Sequence, residues 1–145
     1  MAQQSPHNLT EARVMRRNHP KRFALISSKG GTGKTTTAAN LGAMYADLGQ
    51  RTLLIDTDHQ ASLSRWYPIV EQAPAGLTQL IQRANATGCI SKTNINNLDI
   101  VISDDPKGDR GGKIYPFLME STSHVLHLNH ALDNLQGYDV VIIDR

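Results

Sequence analysis

The stretch from Phe23 to Asp56 constrains this chain more than any other. Phe23-Ala24-Leu25-Ile26-Ser27 is a compact apolar run that predicts a buried parallel strand. A glycine-rich loop follows at Ser28 to Gly33, and Lys34 to Leu48 then reads as a helix. Ala38, Leu41, Ala43, Met44, Tyr45 and Leu48 supply its packing surface, and Gly49 stands where a left-handed cap ends a helix. Thr52-Leu53-Leu54-Ile55 is a second buried strand, ending at Asp56. Strand, glycine loop, helix and strand in that order form the unit from which parallel sheets are built.

The loop carries the chemistry. It reads Lys29-Gly30-Gly31-Thr32-Gly33-Lys34-Thr35-Thr36, against the general phosphate-loop pattern G-x-x-x-x-G-K-[ST], with Ser28 in the place of the first glycine. Gly30, Gly31 and Gly33 let the backbone turn tightly and aim its N–H groups at phosphate oxygens. The helix that begins near Lys34 adds the positive end of its dipole. Lys34 brings a full charge to the β- and γ-phosphates, and the Thr35 hydroxyl is placed to ligate magnesium. A glycine-rich turn with a chance lysine is the plainer reading of the letters. The strand before the loop and the helix after it are the context that the phosphate motif demands.

Further along, Gly76 to Arg83 reads as a short helix and Leu98 to Ile102 as a strand. Asp104 to Gly112, with Pro106 and three glycines, reads as a loop. Between Ile114 and Leu135 lies a helix with apolar positions at Leu126, Leu128, Ala131, Leu132 and Leu135, closed by Gly137. Val140-Val141-Ile142-Ile143 is the last strand and ends at Asp144. About four strands alternating with helices predict an α/β fold with a mainly parallel sheet, and 145 residues fit one modest core.

Charge divides the chain into two parts. Residues 1–22 hold Arg13, Arg16, Arg17, Lys21 and Arg22 against Glu11, a balance of +4, so the remainder sums to −2 of the net +2. Residues 1–21 therefore read as a loose basic extension and residues 22–145 as the folded domain. Such a head suits nucleic acid or an anionic surface, or simply solvent. Its short helical stretch, Thr10 to Arg17, is too brief for a helix-turn-helix module. The single cysteine, Cys89, rules out an internal disulfide and suits a reducing compartment. No apolar run reaches the roughly 20 residues of a membrane span, and no secretory signal opens the chain, so the expected location is the cytoplasm.

With Lys29 ahead of the glycine pair, K-G-G-x-G-K-T-T resembles the deviant Walker A box of the ParA/MinD group of ATPases. The likeness spans about residues 22–144. It implies a P-loop NTPase-like three-layer sandwich, incomplete at its C-terminus, with ATP and Mg2+ as cofactors. In this family the extra lysine, here Lys29, reaches across a dimer to the partner's nucleotide. Arg51 to Gln60 resembles the second motif, a strand ending in D-x-D-P-Q, with His59 in the place of proline. The resemblance assigns Asp58 to the attacking water and Asp56 to the neighbourhood of the metal. Tyr138 to Asp144 resembles the Walker B strand, whose acid holds magnesium through water. The residues expected on nucleotide are thus Lys29, Gly30, Gly31, Thr32, Gly33, Lys34, Thr35 and Thr36, with Thr35, Asp56 and Asp144 at the metal. Catalysis falls to Asp58, Lys29 and Lys34.

Gln60 favours the ParA branch, and with it an ATP-dependent homodimer acting in plasmid or chromosome partition, with non-specific DNA and a ParB-like protein as partners. A MinD-like membrane switch calls for a C-terminal amphipathic helix, which the sequence does not show. The chain ends one residue after Asp144, so a non-catalytic fragment, poorly stable alone and with little ATPase activity, is the rival expectation. His124, His127 and His130 recur at helical spacing without a carboxylate or cysteine, and are read as facing water or a partner helix. Arg65, Trp66 and Tyr67 suit either stacking on a base or packing beside the D-x-D segment.

Overall fold

A computed structural model describes residues 19–104 and 122–145. The helix read at Thr10 to Arg17, most of the basic head and most of the loop after Asp104 lie outside these residues. Within them the order is β1 (Lys21–Leu25), α1 (Lys34–Asp47), β2 (Thr52–Asp56), a 3-10 turn (Leu63–Arg65), β3 (Ile69–Glu71), α2 (Leu77–Arg83), β4 (Ser91–Thr93), β5 (Leu98–Val101), α3 (Thr122–Asp133) and β6 (Val140–Asp144). The strands form one six-stranded sheet in the order β1-β6-β2-β5-β4-β3. The first four are parallel, and β4 and β3 extend the sheet antiparallel.

Side-chain alternation along the strands separates two apolar layers. Leu53, Ile55, Val101 and Val141 point to one face, where they meet Leu77, Leu80 and Ile81 of α2 and Ala131 and Leu132 of α3. Leu54, Ile100, Val140 and Ile142 point to the other and pack on Ala38, Ala39 and Ala46 of α1. The result is the three-layer α/β sandwich. Helix α1 lies close on the sheet because Gly42 has no side chain: a Cβ there would stand 2.8 Å from Leu54 Cδ2.

Several local features differ from the sequence expectation. The first strand begins at Lys21 rather than Phe23 and stops before Ile26, which is 69% exposed. It is a half-exposed edge, because β6 is its only neighbour among the described strands. The expected burial therefore belongs to β6, held between β1 and β2. Met44 and Leu48 of the α1 stripe and Leu126 of the α3 stripe point to solvent. Each helix rests on the sheet by a narrower face than its apolar composition implied. Strands β3 and β4, three residues each, carry no periodic signal of their own and form by pairing outward from β5.

Candidate phosphate-binding site

The site is built at the C-terminal ends of β1, β6 and β2, the rim where open α/β sheets take their ligands. The glycine loop leaves β1 there. Ser27 opens it, its hydroxyl donating to the Lys29 carbonyl at 2.9 Å and accepting the Lys29 N–H at 3.2 Å. Gly31 and Gly33 hold φ of 75° and 78°, a left-handed backbone that side chains disfavour, and Gly33 is the residue on which α1 starts. One turn into the helix, Thr37 closes on the Gly33 carbonyl with both its N–H and its hydroxyl. Beside the loop is an open hollow of about 250 Å³ lined by Leu25, Ile26, Ser27, Thr32, Lys34 and Thr37. Lys29, Gly30 and Thr36 are exposed on the loop and the first turn.

Two distant segments converge on Lys34. Its ammonium lies 3.2 Å from Asp58 Oδ2 and 3.5 Å from Asp144 Oδ1. Thr35 donates its hydroxyl to Asp144 Oδ2 at 2.8 Å. Asp144 is wholly buried, and among the described residues its Oδ1 accepts no hydrogen bond. A buried carboxylate oxygen left to a cation, next to a threonine hydroxyl, is a hard-oxygen pair of the kind magnesium takes. The residues therefore fit that ion. The Asp144 carbonyl is fixed by the N–H and hydroxyl of Thr57, the residue just after β2, both at 2.9 Å.

Asp58 sits on the turn after β2. Partial burial works against its ionisation, but the Gln60 N–H at 2.9 Å, the Lys34 ammonium and the His59 ring hold the carboxyl below its usual range. Asp56 is different. It faces Asp144 across the β2–β6 register and is equally buried, and its oxygens are engaged by the Asp58 N–H at 3.0 Å, the Ser64 N–H at 2.8 Å and the Ser64 hydroxyl at 2.6 Å. Burial, with Asp144 adding its charge, pushes the Asp56 carboxyl up despite those donors. Ser64 and Thr57 escape a reading of the sequence, because neither stands at a motif position that the spacing singles out.

The flanking residues take up definite partners. Arg65 donates to the Gln60 carbonyl at 2.8 Å, and the Tyr67 hydroxyl to the Ala39 carbonyl at 2.9 Å, so both brace the segment after Asp58. Trp66 stays 43% exposed. His127 Nδ1 lies 3.1 Å from the Ile81 carbonyl between α3 and α2, His130 is exposed, and the His124 side chain lies outside the described residues. Among the described residues no cluster of three or more His, Cys, Asp or Glu is arranged to hold a metal. Cys89 is buried in the α2 layer.

A family model described as an AAA domain matches residues 20–145. The sporulation initiation inhibitor protein Soj of Bacillus subtilis is 36% identical over 129 residues, covering 86% of this chain and 49% of Soj. The virulence plasmid ParA family protein pGP5-D of Chlamydia psittaci is 36% identical over 127 residues, covering 86% of this chain and 48% of that protein. The chain thus spans about half the length of these two relatives. Among solved structures, cobyrinic acid a,c-diamide synthase of Mycobacterium smegmatis with bound ATP analogue and magnesium superposes with a TM-score of 0.71, at 27% identity over 86% of this chain and 50% of that one. A glycine loop preceded by its own lysine, in a sequence shared over most of its length with Soj and a ParA family protein and matched by the AAA domain model, means that the chain belongs to the ParA/MinD family.

Proposed function

We propose that this chain is the ATP- and Mg2+-binding region of a ParA-type ATPase, a dimerising switch in plasmid or chromosome partition. The observation that carries the reading is Lys34, the first residue of the helix after the glycine loop, whose ammonium lies between Asp58 and Asp144. The loop from Lys29 to Gly33 presents its N–H groups to the phosphates, with Thr32 and Thr36 beside them. Lys34 meets the β- and γ-oxygens. Thr35 and Asp144 would hold the magnesium ion, with Asp56 beside Asp144 on the neighbouring strand. When bound, the ion neutralises charge on the phosphates. Asp58, kept ionised by its donors, orients the attacking water. Exposed Lys29 serves the nucleotide of a second copy, which makes the ATP state a homodimer.

A cytoplasmic partition switch would act with non-specific DNA and a ParB-like protein that stimulates hydrolysis, and needs no membrane. Its relative pGP5-D, a ParA family protein of a virulence plasmid, supports the partition part of that reading. No described helix is long and apolar enough to cross a bilayer. A second reading, nucleotide binding without turnover by these 145 residues assayed alone, is favoured by their covering 49% of Soj. ATP hydrolysis measured with DNA and the partner present separates the two.

The deciding test is Lys34→Ala. Titration with magnesium–ATP should show affinity reduced by about 100-fold or more, the scale expected when a charge-assisted hydrogen bond to phosphate is removed from a partly buried site. Unchanged affinity would remove the loop assignment. Lys29→Ala should still bind ATP but fail to dimerise with a non-hydrolysable analogue in light scattering. Asp58→Ala should bind ATP and lose hydrolysis.

A further inference from the structure

The turn between β2 and β3 holds a clamp that no sequence motif marks. Ser64 lies in the middle of the 3-10 turn, and its hydroxyl works in two directions. It donates to Asp56 Oδ2 at 2.6 Å and accepts the Ser103 N–H at 2.9 Å. Its own N–H reaches the same Asp56 oxygen at 2.8 Å. The other oxygen of Asp56 accepts the Asp58 N–H at 3.0 Å. One serine thereby joins the end of β2, the residue that faces Lys34, and the chain just past β5.

A second observation concerns the backbone that this clamp spans. Ala61, between Asp58 and Ser64, holds φ of 50° while only 2% exposed, a left-handed conformation that a side chain disfavours. Strain of this kind persists only where the surroundings over-determine it. Here the restraints are the Ala61 N–H on the Asp58 carbonyl at 3.0 Å, the Arg65 guanidinium on the Gln60 carbonyl, fully buried Leu63, and the paired bonds of Ser64 to Asp56.

We propose that Ser64 is a positioning residue for Asp58. Through Asp56 it fixes the backbone from which the Asp58 carboxylate is aimed at Lys34, and through Ser103 it ties that aim to the end of β5. Without the hydroxyl, Asp56 Oδ2 keeps one donor and the Ser103 N–H loses its acceptor. The strained turn at Ala61 then relaxes and Asp58 is no longer held. The consequence for turnover rests on the ATP reading above, whereas the clamp does not.

Amide hydrogen exchange on the 15N-labelled full chain tests the clamp directly. In the wild-type protein the Asp58, Ser64 and Ser103 amides should open together, with opening constants within about threefold of one another, as for a single cooperative unit. Ser64→Ala should speed exchange at Asp58 and Ser103 about tenfold or more relative to the Val141 amide in β6. Ser64→Thr, which keeps the hydroxyl, should retain wild-type protection. Unchanged exchange at Asp58 and Ser103 in Ser64→Ala overturns the proposal. If Ser64→Ala does not fold, the wild-type comparison decides, and unequal opening of the three amides overturns it. Where the protein hydrolyses magnesium–ATP, Ser64→Ala should lower kcat about tenfold with KM within about twofold, a transition-state loss. A rise in KM alone contradicts the positioning role. A wild-type protein that does not bind magnesium–ATP removes the nucleotide reading and leaves the exchange result to judge Ser64.

Discussion

The ends of β2 and β6 lie side by side in register, and each finishes on an aspartate with no solvent exposure. Their surroundings are opposite. Asp56 accepts three protein hydrogen bonds, all from the turn that follows β2. Asp144 accepts the Thr35 hydroxyl on one oxygen and, among the described residues, has the Lys34 ammonium near the other. The same residue type at equivalent places thus does two jobs. At β2 both oxygens of the carboxylate accept bonds from the protein, which organise a loop. At β6 one buried oxygen accepts no hydrogen bond among the described residues. The two carboxylates thus differ in how far the protein itself satisfies them.

Replacing the engaged acid should have the largest effect on stability. In Asp56→Ala three partly buried donors lose their acceptor, at about 1 kcal/mol each, so unfolding free energy in urea should fall by about 3 kcal/mol. An effect below about 1 kcal/mol would show that the loop does not depend on Asp56.

Asp144→Asn should behave in the opposite sense. The Asn carbonyl can still accept from Thr35, so stability should change by no more than about 1 kcal/mol. The tightening of ATP binding by magnesium should meanwhile drop by about tenfold or more in titrations with and without the ion. Loss of stability matching that of Asp56→Ala would erase the contrast between the two strand ends.

A smaller effect is expected for Thr35→Val, which keeps the shape and removes the donor to Asp144. The thermal midpoint should correspond to a loss of about 1 kcal/mol, with magnesium dependence weakened as well. A stability loss with full magnesium dependence would assign Thr35 to structure alone.

The smallest effect is on the pH dependence of stability. Asp58 is depressed in the folded state, so its contribution is present above the unfolded value of 3.8 and lost as pH falls through the folded value. Asp56 is raised, so its contribution is present below 3.8 and lost as pH rises through the folded value. The two acids therefore tilt the stability curve in opposite directions on either side of 3.8. Asp58→Asn should flatten the acid-side loss, and urea midpoints taken from about pH 5 down to about pH 2 would read it. An identical acid limb in wild type and Asp58→Asn would show that Lys34 and Gln60 do not favour its charged form.

The likeness of β1 and β6 in sequence illustrates where local reading stops. Both are short apolar runs, and Phe23 to Ser27 looks as fit for the interior as Val140 to Ile143. Position in the sheet separates them: β6 pairs on both sides, while β1 pairs with β6 alone among the described strands and shifts to begin at Lys21. The same holds for Leu126, Met44 and Leu48, apolar residues on helices whose buried faces are set by what the helix rests on. Hydrophobic periodicity reports that a side chain prefers cover. It does not report which neighbour provides the cover.

By itself the sequence determined the α/β class, the four parallel strands, the helix that opens on Lys34 and the phosphate loop, because each follows from contiguous residues. Chain stiffness, glycine conformation and side-chain alternation act over a few positions. Tertiary structure alone decided how the chemistry is arranged. Lys34 meets Asp58 from 24 residues away and Thr35 meets Asp144 from 109. Ser64 closes on Ser103 across 39 residues. Such pairings leave no period in the sequence. They arise because parallel strands bring their C-terminal ends to one rim of the sheet, and the turns that meet there fix how fully the protein satisfies each buried carboxylate.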